Sequence, residues 1–143
     1  MKKILLLILP TLLLLANPDI LIEKRSHHSF DQTVRRFIKA VHKRGLKIFC
    51  RIDHSRNAAK IHTKLPPVSL FLFGSPKLGT ALMRQDLRSG LSLPLKVLIY
   101  QRGKSTYLLY RDPLEMATIY HLPKRKLQRI AHTLRAILKE STR

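Results

Sequence analysis

The chain has 143 residues, with 28 Lys+Arg against 8 Asp+Glu and a formal net charge of +20. Hydrophobic residues make up 45 % and Gly only five positions, which excludes a disordered chain. A single Cys excludes an internal disulfide, and the charge points to polyanions as partners: nucleic acid, anionic lipid or acidic polysaccharide.

Lys2-Lys3, an almost unbroken apolar run from Ile4 to Ala16, and then Asn17-Pro18-Asp19 make the three-part pattern of a secretory signal. The run is too short to span a bilayer as a helix, and it contains Pro10. The expectation is a signal helix over residues 1–16 and an exported, periplasmic or extracellular domain beginning near Asn17. An uncleaved membrane anchor is the alternative, because Lys2 and Lys3 suit a cytoplasmic flank equally well. Leu14 is also larger than the small residue preferred three positions before a cleavage site at Ala16. Without residues 1–16 the chain keeps 127 residues, one ordinary domain, with 26 cations against 8 acids and a charge of +18. The charge could equally be a solvated surface without a target; if it has one, export favours an anionic surface or polymer of the cell envelope over nucleic acid.

Ile20 to Arg25 reads as a first strand. Ser29 is placed to cap a helix and Gln32 stands three residues later, as a capping box requires. Phe30, Val34, Phe37, Ile38 and Val41 then recur at helical spacing, and Gly45 suits a left-handed helix end. From Leu46 the period becomes two: Leu46, Ile48, Cys50 and Ile52 alternate with Lys47, Phe49, Arg51 and Asp53 and predict a strand with the first four facing inward, Cys50 as a buried thiol. Ser55–Ile61 reads as a short helix capped by Ser55, and Val68–Phe73 as a central strand. Gly74-Ser75-Pro76 supplies a turn, a cap and a first helical proline; Gly79 suggests close approach of another backbone. Leu95–Tyr100 and Ser105–Tyr110 flank Gln101–Lys104 as a hairpin. Asp112, Pro113 and Glu115 sit where a cap, N1 and N3 of a helix belong, and a last helix over 124–139 carries the stripe Leu127, Ile130, Ala131, Leu134, Ile137, Leu138. The order β-α-β-(α)-β-α-β-β-α-α indicates an α+β fold, one mainly antiparallel sheet of about five strands with helices on one side.

Five segments in this order and spacing resemble the family known as domain of unknown function 302. They are Ser26–Phe30; Arg51–His54 with Asn57-Ala58; Leu72–Thr80; Leu91–Val97; and Tyr110–Pro113. The resemblance covers residues 20–122, and the basic amphipathic helix of 123–143 falls outside it. It implies a curved antiparallel sheet backed by helices, similar to the TATA-box-binding-protein arrangement, and often a homodimer; it implies no established activity. Where Ser75 stands, the family usually has Asn.

The candidate ligand positions are Asp53, His54, Asn57, Gly74, Ser75, Pro76, Lys77 and Tyr110. Asp53-His54 could orient an imidazole for proton transfer, or Asp53 could cap the following turn. Gly74-Ser75-Pro76 with Lys77 leads a strand into a helix start that could hold an anion through backbone N–H groups, or could be an ordinary turn. Arg102, Lys104 and Arg111 surround the hairpin with Tyr107 and Tyr110, a mixture that binds nucleic acid in some proteins and packs within sheets in others. There is no specific nucleic-acid motif. The seven His lack metal-ligand spacing, so neither a metal nor a catalytic group is assigned, and no cofactor is identified. The first expectation is a non-enzymatic binding or structural module of the envelope with a basic surface. The alternatives are a small enzyme using Asp53 and His54, or a dimeric structural domain without a small ligand.

Overall fold

The computed structural model describes residues 21–143, so the expected signal helix of residues 1–16 lies outside the described residues. Five strands form one antiparallel sheet: β1 Leu21–Ser26, β2 Lys47–Asp53, β3 Val68–Gly74, β4 Leu95–Arg102 and β5 Ser105–Arg111, in the order β1-β5-β4-β3-β2. Five helices, α1 Phe30–Lys43, α2 His54–Lys60, α3 Pro76–Met83, α4 Glu115–Ile119 and α5 Lys124–Thr142, alternate with them, and a 3-10 turn spans Leu87–Leu91. The α+β class and the element order agree with the sequence.

The helices begin where their caps are. The Ser29 hydroxyl accepts from the Gln32 N–H at 3.4 Å, and the Gln32 side chain accepts from the Ser29 N–H at 3.2 Å. That reciprocal pair satisfies two of the backbone donors a helix start leaves open. Gly45, at φ +65, reverses the chain after α1, in a region other residues adopt only with strain. Asp53 rather than Ser55 caps α2. Its carboxylate accepts from the Arg56 N–H at 2.9 Å, while the Ser55 hydroxyl donates to it at 2.8 Å and accepts from the Val68 N–H at 3.2 Å. Before α4, the Asp112 carboxylate accepts from the Leu114 N–H at 2.9 Å, but the first turn is built on i to i+3 bonds and the helix proper opens only at Glu115. Gly79 faces the Leu93 side chain at ordinary contact distance, not another backbone.

The core lies between one sheet face and the pair α1 and α5. Phe37 is fully buried, with its ring centroid 5.3 Å from those of Phe71 and Phe73. Val97, Ile99, Leu108 and Tyr110 extend that layer along β4 and β5, and Leu134, Ile137 and Leu138 of α5 complete it. A second cluster joins Leu82, Met116, Tyr120, Leu122 and Leu127. The C-terminal end of α5 is tied down by the segment that leads into α1 and by α1 itself. The His27 N–H donates to the Thr142 carbonyl at 3.0 Å, His28 Nε2 lies 2.7 Å from the Arg143 carbonyl, and Arg36 donates to the carbonyls of Glu140 and Arg143. Basic groups on the last carbonyls of a helix satisfy orphan acceptors and complement its dipole.

The register of β2 departs from expectation. A β-bulge at Phe49 sets Ile48 opposite Phe73 but Cys50 opposite Leu72. One extra residue shifts every later side chain to the other face. Leu46 and Ile48 therefore pack on the core as expected, whereas Cys50 and Ile52 lie on the face with Leu70 and Leu72, and Cys50 is exposed rather than a buried thiol. Phe37→Ala should cost about 3–5 kcal/mol, and Cys50→Ser no more than about 0.5 kcal/mol. Urea denaturation of both variants checks this; a large loss from Cys50→Ser would return the thiol to the core.

Candidate functional site

The bulge has a second effect: it turns Phe49 toward the end of β3, onto the rim of a cavity of about 730 Å³. The walls come from distant parts of the chain. Phe73 to Pro76 close one side, Leu78, Leu82 and Met83 of α3 the next, Leu93 to Leu95 the floor, and Ile130, Leu134 and Ile137 of α5 the far side. The size falls within the range of small-molecule sites, and the lining is mainly apolar, as such sites are. Polar groups are few: the hydroxyls of Ser75, Thr80 and Thr133, and the cations Arg44, Lys126 and Arg129. No acid, imidazole or thiol is among the described lining residues.

The three cations differ in what they already hold. Arg44 makes a two-pronged bond to Glu140, at 2.8 and 3.2 Å. The Arg44 guanidinium is the main reason the Glu140 carboxyl is held below its usual range. Lys126 and Arg129 have no acidic partner among the described residues. Both are exposed at the mouth, in the first two turns of α5. A cavity with apolar walls and two uncommitted cations at its edge can take an apolar molecule by its body and an anionic group by its end.

The structure separates the positions singled out from the sequence. Gly74, Ser75 and Pro76 line the cavity, and Lys77 stands beside them on the exposed side of α3. The Ser75 hydroxyl is engaged as the cap of α3, accepting from the Leu78 N–H at 3.4 Å, and Pro76 offers no N–H, so this turn is not a phosphate cradle. Asp53, His54 and Asn57 sit at the opposite end of β2, since Lys47 pairs with Gly74 and Asp53 with Ser69. No hydrogen bond joins Asp53 to His54. The carboxylate is held by Arg56 N–H and Ser55, with Arg51 at 3.8 Å, and these donors, Arg56 first, keep it below the ordinary aspartate range. Tyr110 points into the core, opposite Val97 and Ile22, where burial raises its phenol. The hairpin set is engaged within itself: Tyr100 stacks on Tyr107, Arg102 lies 4.3 Å over the Tyr107 ring and 3.1 Å from Glu23, and Arg111 pairs with Glu115 at 2.7 Å.

The sequence shows Lys126 and Arg129 only as two of seven cations on the basic C-terminal helix, with nothing to set them at a cavity. The available signal was Lys126, Ile130, Thr133 and Ile137, spaced four, three and four apart on one side of α5. That stripe borders the buried one and looks like its polar margin.

An open-faced five-stranded antiparallel sheet, helices on its other side and a basic-mouthed cavity at one end define the class. The chain belongs to the family domain of unknown function DUF302, which it matches over residues 22–141, a span that includes all of α5 but its last residue. A DUF302 protein from Bacillus stearothermophilus superposes with a TM-score of 0.80 at 16 % identity, covering 88 % of this chain and all of that one. In sequence, 103 residues are 33 % identical to proteins named fluoride-specific ion channel FluC 1 from Brucella suis and from Brucella abortus, covering 71 % of this chain. The chain spans about two fifths of the length of these relatives, 41 % and 38 %. Among the described residues no helix is long and apolar enough to cross a membrane.

The cap geometry generates a test that separates architecture from chemistry at Asp53. Asp53→Ala should destabilise the fold by about 0.5–2 kcal/mol near neutral pH, the range for a lost N-cap. Because the folded carboxyl titrates below the unfolded value of about 3.9, its contribution is complete above that value and fades as the pH falls through the lower folded one. Urea denaturation of wild type and variant at neutral and acid pH reads the difference; a gap that does not narrow in acid contradicts the assignment.

Proposed function

We propose that this domain is a binding module for an anionic amphiphile, a molecule with an apolar body and one acidic end, in the class of fatty acids and their lipid relatives. The observation that carries this is the cavity of about 730 Å³ with apolar walls, with Lys126 and Arg129 uncommitted at its mouth and no acid in its lining among the described residues. Burying the apolar body supplies affinity, and the cations fix which end faces out. The Brucella relatives are named for an anion as well, fluoride, but walls of Leu, Ile, Phe and Met suit a far larger and greasier one.

The reading places the module in the cell envelope. The pattern of Lys2-Lys3 and Ile4–Ala16 supports export, and the charge of +20 supports residence beside anionic surfaces. Intact-mass measurement of the protein from its own host should find residues 1–16 removed; a soluble cytosolic chain still beginning at Met1 would sink the location.

A fluorescent fatty acid in vesicle-free buffer tests the cavity. Lys126→Gln and Arg129→Gln should each weaken binding about three- to tenfold, as expected for a partly exposed charge-assisted contact of about 1 kcal/mol. Ile130→Trp should block it by filling the space. Unchanged affinity in all three variants, with the fold intact by circular dichroism, would refute the site.

A further inference from the structure

We infer that the segment roofing the cavity, α3 with the 3-10 turn after it, is a docking surface for an anionic lipid bilayer. It carries the two most exposed large hydrophobic residues among the described residues. Leu87 and Leu91 are 83 % and 85 % exposed within a turn of five residues, and Leu78 on α3 is 45 % exposed. Single exposed leucines are ordinary on soluble proteins. Two that protrude almost fully from one turn, with a third on the adjoining helix, make a patch that favours leaving water.

The turn holds these leucines out by its own construction. Asp86 caps it, its carboxylate accepting from the Arg88 N–H at 2.9 Å while bonding the Arg88 guanidinium at 2.7 Å. Ser89 is fully buried on the inner side, and the Ser92 hydroxyl lies 2.8 Å from the Tyr120 hydroxyl, which anchors the turn to α4. With the inner side fixed, Leu87 and Leu91 have no route back to the core. Lys77 and Arg84 are exposed in the same stretch, and the one acid between residues 76 and 91, Asp86, is neutralised by its pair with Arg88, so the stretch keeps a net charge of two cations.

Charge selects the occupant. Leucines on a cationic stretch complement a surface that is negative outside and apolar within, which describes an anionic leaflet. A second copy would set this cationic patch against another on a chain of +20. A rigid protein partner would need two matched slots for leucines that protrude from a convex turn, whereas acyl chains rearrange around them. The cavity opens beside this roof, since Leu78 and Gly90 line it, so a docked domain would present its mouth to the lipid. The docking stands on the surface of the roof alone; only its purpose, loading the cavity from the membrane, rests on the amphiphile reading.

The chain contains no Trp, so Leu91→Trp creates a single local reporter in the full-length protein. Vesicles of phosphatidylcholine with about one third phosphatidylglycerol should shift its emission to the blue, and bromine-labelled acyl chains should quench it. Pure phosphatidylcholine should do so at least tenfold more weakly, as should anionic vesicles in high salt, where screening removes the attraction of Lys77 and Arg84. Leu87→Asp with Leu91→Asp should lower vesicle affinity at least tenfold while leaving the fluorescent fatty acid bound as in wild type in vesicle-free buffer. Loss of fatty-acid binding with vesicle docking retained by wild type would refute the cavity reading alone. No shift and no quenching at Leu91→Trp, in samples that cosediment with anionic vesicles, would overturn the docking surface and place the contact elsewhere on the molecule.

Discussion

Everything in this fold is seated on Phe37. Its ring enters between Phe71 and Phe73, at 5.3 Å from each, and fixes how α1 lies on the sheet. Aromatic rings in this tilted and edge-on arrangement gain from quadrupole complementarity as well as from burial. Once α1 is placed, α5 has one groove left, against α1 and β1, and its apolar stripe fills it. The cavity follows from that seating. Phe73, Leu134 and Ile137 belong both to the core and to the cavity wall, so the binding space is a place where core packing stops short, not a loop folded over solvent. Such a wall is stiff, because its residues cannot move without disturbing Phe37.

The acids are few, and they sit at joints. Asp53 and Asp86 cap helical starts, Glu140 clamps α5 to the end of α1 through Arg44 and Lys43, Glu23 links the outer strand to Arg102, and Glu115 holds Arg111 at the start of α4. Most of the negative charge of the described residues is thus committed to architecture, and most of the positive charge is left facing water. A surface of that kind repels its own copies and gathers counter-ions, and its field weakens steeply with salt. Lys126 and Arg129 differ from the other uncommitted cations only in having an apolar cavity behind them.

How far the sequence could be read follows the range of the forces involved. Local chemistry was legible: the Ser29–Gln32 box, the Gly74-Ser75-Pro76 turn, the hairpin and the stripe of α5 all appear where their short-range signals put them. What failed was set by neighbours distant in sequence. The alternation of Leu46 to Ile52 carries no trace of a bulge at Phe49, which answers to β3 and the cavity rim. Tyr107 and Tyr110, three apart on one strand, must face opposite ways, but which of the two meets the core is set by the helices packed on the sheet. Half of the site was visible through its turn residues, and the other half, on α5, was hidden because a helix stripe looks the same against a core or a cavity.

The pairing of β1 with β5 has a consequence for how the chain comes to be folded. The pairs β2–β3, β3–β4 and β4–β5 join strands that follow one another, but Leu21–Ser26 finds its partner only at Thr106–Arg111, across most of the chain. Ser26 stands opposite Thr106, and the His27 N–H donates to the Thr142 carbonyl. The beginning of the domain therefore has no stable place until its end has been made, and loop closure over that distance is slow. A ribosome emitting this chain releases Leu21–Ser26 without its partner strand until Thr106–Arg111 has followed it out.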